Sequence, residues 1–112
     1  MASLPWEIAP LEVKRKIDAG EALHLIDVRE LVEFQITRIA GADLIPMNTV
    51  PAALQKLETQ ADAGTLIVFC HHGMRSMQVV NWLREQGLSA CQSMAGGIDR
   101  WSLEVDPAVS RY

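Results

Sequence analysis

Apolar and polar positions along this chain follow two periods, and the period changes at prolines and glycines. "PLEVKRKIDAG" (10–20) opens on a proline suited to a first helical position, carries Val13 and Ile17 four places apart and meets Gly20, so it predicts a helix. "ALHLIDVRE" (22–30) is a short apolar run ending in charge, the pattern of a buried strand whose carboxyl end reaches the surface. "LVEFQI" (31–36) predicts a short helix and "ADLIPM" (42–47) a short strand. "PAALQKLETQADAG" (51–64) predicts a helix opened by Pro51, closed near Gly64, with its acids on a solvated face. "TLIVFC" (65–70) is a third apolar strand. "SMQVVNWLREQG" (76–87) sets Met77, Val79, Val80, Trp82 and Leu83 among polar residues and stops at Gly87, which is helix. "SACQSM" (89–94) reads as a weaker strand, "AGGI" (95–98) as a tight turn and "DRWSLE" (99–104) as a short helical turn, ahead of a polar C-terminal tail (104–112).

Strands alternating with helices at this spacing predict an α/β fold, with a mostly parallel sheet, right-handed crossovers and helices on both faces. Ligands of such sheets sit beyond the carboxyl ends of the strands, where the strand order reverses. "DVRE" and "CHHGMR" both fall at such ends, so Asp27 and Cys70 are expected to share one crevice.

Composition narrows the function classes. With 112 residues and 49% hydrophobic residues, the chain is expected to form one domain over 1–112, with its core in about 6–103. A net charge of −4 and scattered Lys and Arg argue against a nucleic-acid partner. The longest apolar run, Leu66 to Cys70, is far short of the ~18 residues of a membrane span. The opening "MASLPWEIAP" has neither a basic nor an apolar leader region, so a cytoplasmic protein without membrane contact is expected. Two cysteines make no disulfide framework, which leaves Cys70 as a reactive, metal-bound or simply buried thiol.

"FCHHGMRS" (69–76) carries the chemistry. A loop between a buried strand and a helix N-terminus presents backbone N–H groups and the positive end of the helix dipole, which together cradle an anion. With Cys70 at its start, that anion includes the thiolate, and Arg75 adds a full positive charge. Gly73 lets the loop curl its amides toward one point. Zinc is disfavoured, because Cys70, His71 and His72 are crowded into one tight loop and no Cys-x-x-Cys pair exists.

"CHHGMRS" resembles the active-site loop of the rhodanese family of sulfurtransferases, Cys-x-x-Gly-x-Arg-Ser. "LIDVRE" followed two residues later by "EF", then "IAGA" and "MAGGIDRW", are similar to the family's other signatures in the same order. The resemblance implies a three-layer α/β/α rhodanese-like domain with a mostly parallel five-stranded sheet. It implies an enzyme without cofactor or metal that takes a sulfane sulfur from thiosulfate or a persulfide donor onto Cys70 and hands it to a thiophilic acceptor, a thiol or an acceptor protein. On this reading the amides of His71, His72, Gly73, Met74, Arg75 and Ser76 form the cradle, Arg75 also braces the loop, and Asp27, Arg29 and Glu33 support it. His71 and His72 would line the loop and shape substrate choice. The chain departs from the family at Thr37-Arg38, where Gly-His is common, and at Leu31, where Pro is frequent.

Two other readings stand beside this one: a sulfur carrier or partner-binding module without independent turnover, and a phosphatase of the same fold. The six-residue loop from Cys70 to Arg75 is one residue shorter than the resembling phosphatase loops and favours sulfur. Cys91 is expected in the core, with a resolving thiol as the alternative that only its distance to Cys70 decides. Trp82 is expected to pack in the core and Trp101 under the site.

Overall fold

The computed structural model describes residues 4–112; the first three residues, where the reading of the opening segment begins, lie outside them. The elements run β1 (Glu7–Ile8), α1 (Pro10–Asp18), β2 (Leu23–Asp27), α2 (Leu31–Ile36), β3 (Asp43–Leu44), α3 (Leu54–Ala63), β4 (Thr65–Phe69), α4 (Met74–Glu85), β5 (Cys91–Met94) and α5 (Gly97–Glu104). Two short 3-10 turns, Met47–Thr49 and Pro51–Ala53, precede α3. The five strands form one sheet in the order β1-β5-β4-β2-β3, and every pairing is parallel.

Strand β4 shows why the sheet has two cores. It runs through the middle, so both of its faces are covered, and Leu66, Ile67, Val68 and Phe69 are all fully buried. Leu66 and Val68, followed by Cys70, face one side and pack with Leu57 of α3 and Val79, Val80 and Leu83 of α4. Ile67 and Phe69 face the other side, with Val13 of α1 and Ile98 and Trp101 of α5. Each such side chain taken from water contributes about 1.5–3 kcal/mol. The chain passes from β2 outward to β3, returns to β4 and then leaves on the opposite side for β5, so the strand order reverses next to β4. Cys70 follows the carboxyl end of that strand, where a ligand crevice belongs.

Several boundaries differ from those the pattern predicts. The two-residue β1 carries no periodic signal, and β3 is paired only at Asp43 and Leu44 before Pro46 leads into the 3-10 turn. Helix α4 begins at Met74 instead of Ser76, so the end of the "CHHGMRS" loop is already helical. The glycine pair expected as a plain turn opens the eight-residue α5.

Two larger differences concern charge and the C-terminal segment. Asp27 and Arg29 do not reach the surface: both are wholly buried, because each neutralises the other. Residues after Glu104 turn back onto the domain, with Val109 buried in the α1/α5 core and Ser102 Oγ donating to the Val109 carbonyl. No helix among the described residues is long and apolar enough to cross a membrane.

Candidate active site

The Cys70 side chain belongs to the core, and its residue is 1% exposed. Its sulfur lies under the loop that carries the chain into α4, and two backbone amides point at it: Gly73 N–H at 3.1 Å and Ser76 N–H at 3.4 Å. The Ser76 hydroxyl is 3.5 Å from the sulfur, donates to the Gly73 carbonyl and shares a 2.7 Å hydrogen bond with Ser93 of β5. Of the six amides expected to form a cradle, these two donate to the sulfur itself.

The loop can curl because of two glycines. Gly73 has φ +108°, a left-handed conformation that costs a side-chain-bearing residue dearly, and it serves as N-cap of α4. Gly97, with φ +61°, lets the start of α5 approach so closely that a Cβ there would stand 2.3 Å from the Cys70 carbonyl oxygen. Ile98 N–H donates to the Cys70 carbonyl at 2.8 Å and Asp99 N–H to the His71 carbonyl at 3.2 Å. The amides of α5 therefore hold two carbonyls of the loop outward, away from the sulfur.

A relay of charged groups braces the outside of the loop. Arg75 makes a bidentate pair with Glu33 of α2, at 2.7 and 2.9 Å. This pair, above all, holds the Glu33 carboxyl at a pKa of about 2 and raises that of Arg75. Glu33 also accepts from the Glu30 amide at 3.1 Å, closing a capping box on α2. Arg75 thus ties the start of α4 to α2, and its charge is matched by Glu33.

Asp27 and Cys70, expected to share one crevice, both lie at carboxyl ends of strands but on opposite faces of the sheet. Asp27 pairs in register with Phe69, so its side chain lies on the Phe69 side of the sheet, opposite Cys70. Asp27 binds the Arg29 guanidinium, with contacts from 2.7 to 3.1 Å. Arg29 in turn donates to the Thr37 carbonyl at 2.8 Å and to the Tyr112 hydroxyl at 3.1 Å. Since Thr37 contributes a backbone carbonyl in an extended conformation, any residue can fill that role, and its departure from the common glycine costs the brace nothing. Leu31 opens α2 and is 55% exposed.

At the mouth, His71 is sandwiched between the rings of His72 and Tyr112, with centroids 3.9 Å away on each side. Burial, and then the neighbouring His72, lower the His71 pKa. His72 is exposed, with Nδ1 3.9 Å from Asp99, which is itself paired with Arg111. Met74 projects from the first turn of α4, 77% exposed. Beside it runs an apolar groove of about 620 Å³ lined by Trp6, His72, Gly73, Met74, Met77 and Asn81.

Cys91 is no resolving thiol in this fold. It pairs with Leu66, four residues before Cys70 on β4, which at ~3.3 Å per residue puts the two cysteines about 13 Å apart along the sheet. A disulfide needs Cα atoms within ~7 Å. Cys91 is buried, its thiol donates to the Leu88 carbonyl at 3.2 Å, and burial raises its pKa. Trp101 packs with Phe69 and Ile98 directly behind the loop, and Trp82 packs against the other core.

Sequence reasoning missed Ser93 and Tyr112. Ser93 sits among buried residues of a weak strand, where a lone hydroxyl without a visible partner is the available signal. Tyr112 had none, because its hydrogen-bond partners Glu33 and Arg29 lie 79 and 83 positions away.

Residues 9–104 match the family described as Rhodanese-like domain. The chain belongs to the rhodanese-like family. It is 39% identical over 101 residues to "Putative sulfurtransferase YtwF" of Bacillus subtilis (strain 168), covering 90% of this chain and 94% of that protein. Another relative is the rhodanese-like/PpiC domain-containing protein 12 of Arabidopsis thaliana, 39% identical over 93 residues, of which the match covers 80% of this chain but only 30% of the plant protein. Adenylyltransferase/sulfurtransferase relatives from maize and Mycobacterium tuberculosis are likewise matched over only 22% and 26% of their lengths. Among solved structures, the human single-domain sulfurtransferase TSTD1 superimposes with a TM-score of 0.78 at 25% identity, over 90% of this chain and 98% of that one. The fold is thus the α/β rhodanese fold with an all-parallel five-stranded sheet, and close relatives carry the name sulfurtransferase.

Proposed function

We propose that this rhodanese-like domain is an enzyme that carries sulfane sulfur on Cys70 as a persulfide. The observation that carries this reading is the pair of amides, Gly73 and Ser76, directed at a buried sulfur. Hydrogen bonds to an atom that bears negative charge stabilise that charge, and backbone donors fixed in advance need no reorganisation when it develops.

The chemistry is two displacements. With thiosulfate as donor, the Cys70 thiolate attacks the outer sulfur; a Cys70 S–S bond forms, the donor's S–S bond breaks, and its electron pair leaves with sulfite. An acceptor thiolate, or cyanide in an assay, then attacks the terminal sulfur of the persulfide, and Cys70 departs as thiolate. An organic persulfide serves as donor by the same first step, releasing a thiolate. No cofactor or metal is required by either displacement. The loop passes from Cys70 to Arg75 in six residues, which supports sulfur over the larger phosphate group.

Mass spectrometry after exposure to thiosulfate, and separately to glutathione persulfide, tests this. The expected result is one added sulfur on wild type, discharged by cyanide as thiocyanate, and none at that position in Cys70→Ala. Absence of the adduct with both donors, or aryl phosphate turnover that vanishes in Cys70→Ser, would overturn the reading.

A further inference from the structure

The segment after α5 ends against the loop, and its last residue touches three parts of the brace at once. The Tyr112 hydroxyl donates to Glu33 Oε2 at 2.6 Å and accepts from Arg29 Nη1 at 3.1 Å. Its ring lies flat on His71, with planes 8° apart, and 5.6 Å from the Arg29 guanidinium carbon. Two anchors seat this segment: Val109 in the α1/α5 core, and Arg111, whose Nε donates to Asp99 at 2.8 Å.

The same Glu33 oxygen that accepts from Tyr112 also accepts from Arg75 Nη2. Glu33 Oε1 is taken by Arg75 Nη1 and the Glu30 amide, so four donors converge on one carboxylate and fix its rotamer. Arg75 lies within the turn that brings Ser76 N–H to the Cys70 sulfur, and His71 is the residue that follows the cysteine. Tyr112 therefore grips the loop at both ends, through Glu33 and Arg75 at one and by stacking on His71 at the other.

We propose that Tyr112 is a positioning residue of the sulfur site, and that the segment 106–112 is a clasp which holds the Cys70 loop in the conformation that aims its amides at the sulfur. Its role in turnover rests on the sulfur-transfer reading; its hold on the loop does not. Burial, with Glu33 as an added cause, keeps the hydroxyl protonated by lifting its pKa to about 12, so it remains a donor throughout the working pH range.

The test uses the full chain with two substitutions. Tyr112→Phe keeps the ring and removes the hydroxyl; Tyr112→Leu removes both. Hydrogen exchange of the Gly73 and Ser76 amides reads the loop directly, and thiosulfate-to-cyanide transfer reads turnover as kcat and KM separately. Expected in Tyr112→Leu are a kcat about tenfold lower, the scale of a displacement of roughly half an ångström, and exchange about tenfold faster as the loop opens more readily, with partial rescue in Tyr112→Phe. Urea midpoints show whether both variants stay folded. Exchange of the two amides within twofold of wild type in folded Tyr112→Leu would overturn the proposal, as would faster exchange spread evenly over the whole domain. If wild type transfers no sulfur, the function fails while the exchange result still decides the clasp.

Discussion

Replacing Gly97 with alanine should break the site more than the fold. The added Cβ would stand 2.3 Å from the Cys70 carbonyl oxygen and 2.4 Å from that of His71, both backbone atoms of the loop. To reach an ordinary contact of about 3.2 Å, these carbonyls must retreat by roughly 0.8–0.9 Å, and the amides between Cys70 and Ser76 move with them. A misplacement of about 1 Å costs on the order of 100-fold in rate, so sulfur transfer should fall by that order. The left-handed φ of +61° adds a backbone penalty of about 1–2 kcal/mol, and with overpacking of about 1–3 kcal/mol the total loss of stability is about 2–5 kcal/mol. Gly20→Ala separates the two effects: its φ is +77°, yet nothing lies within 4 Å of its Cβ position. That variant should lose about 1 kcal/mol and no activity. Thiosulfate-to-cyanide turnover and urea unfolding are measured on both proteins under conditions where each is folded. A folded Gly97→Ala enzyme turning over at the wild-type rate would refute the claim that close packing of α5 positions the loop.

Two further outcomes follow from the paired charges. Asp27→Ala leaves the Arg29 guanidinium buried without its anion and should cost about 3–5 kcal/mol in urea unfolding, whereas the double change Asp27→Leu with Arg29→Met should recover most of it; equal losses would show that the pair is not what matters. Glu33, held at about 2 against an ordinary 4.5 mainly by Arg75, contributes stability that is full above pH ~4.5 and lost as pH falls toward 2. Glu33→Gln should flatten that acid limb in urea midpoints measured from pH 5 to 2, and an unchanged slope would contradict the assignment.

What the sequence disclosed depended on whether the partners of a residue are local. Strand β4 and its loop could be read because an unbroken apolar run followed by Cys, Gly, Arg and Ser is a continuous stretch whose burial and turn chemistry are set by neighbours. Helix α1 could be read from Pro10 and the helical period, although Ile17 is 39% exposed and only Pro10 and Val13 are buried. The charges at the end of β2 were misplaced to the surface because an arginine hides only when its anion, a carbonyl such as that of Thr37 and a distant tyrosine converge on it. None of that convergence has a period. The C-terminal segment looked polar for the same reason: Val105 and Val109 among charged and small residues carry no pattern, yet partners in α1 and α5 bury Val109. Asp27 and Cys70 are expected in one crevice because both follow strand ends, and only the register with Phe69 shows that their side chains point to opposite faces of the sheet.

The sulfur of Cys70 is held by two N–H groups that any residue except proline supplies, beside the Ser76 hydroxyl. Its two N–H donors are backbone atoms, and its own side chain is the last member of the inward row begun by Leu66 and Val68. The residues that face the solvent at the mouth, His72 and Met74, supply neither those donors nor the core contacts. The loop is therefore divided between a fixed interior and a replaceable rim. On the proposed sulfur-transfer reading, a library varying only His72 and Met74 changes the surface that a donor or acceptor meets while the domain's folding free energy stays nearly constant, a latitude that a sulfur supported by side chains alone would not have.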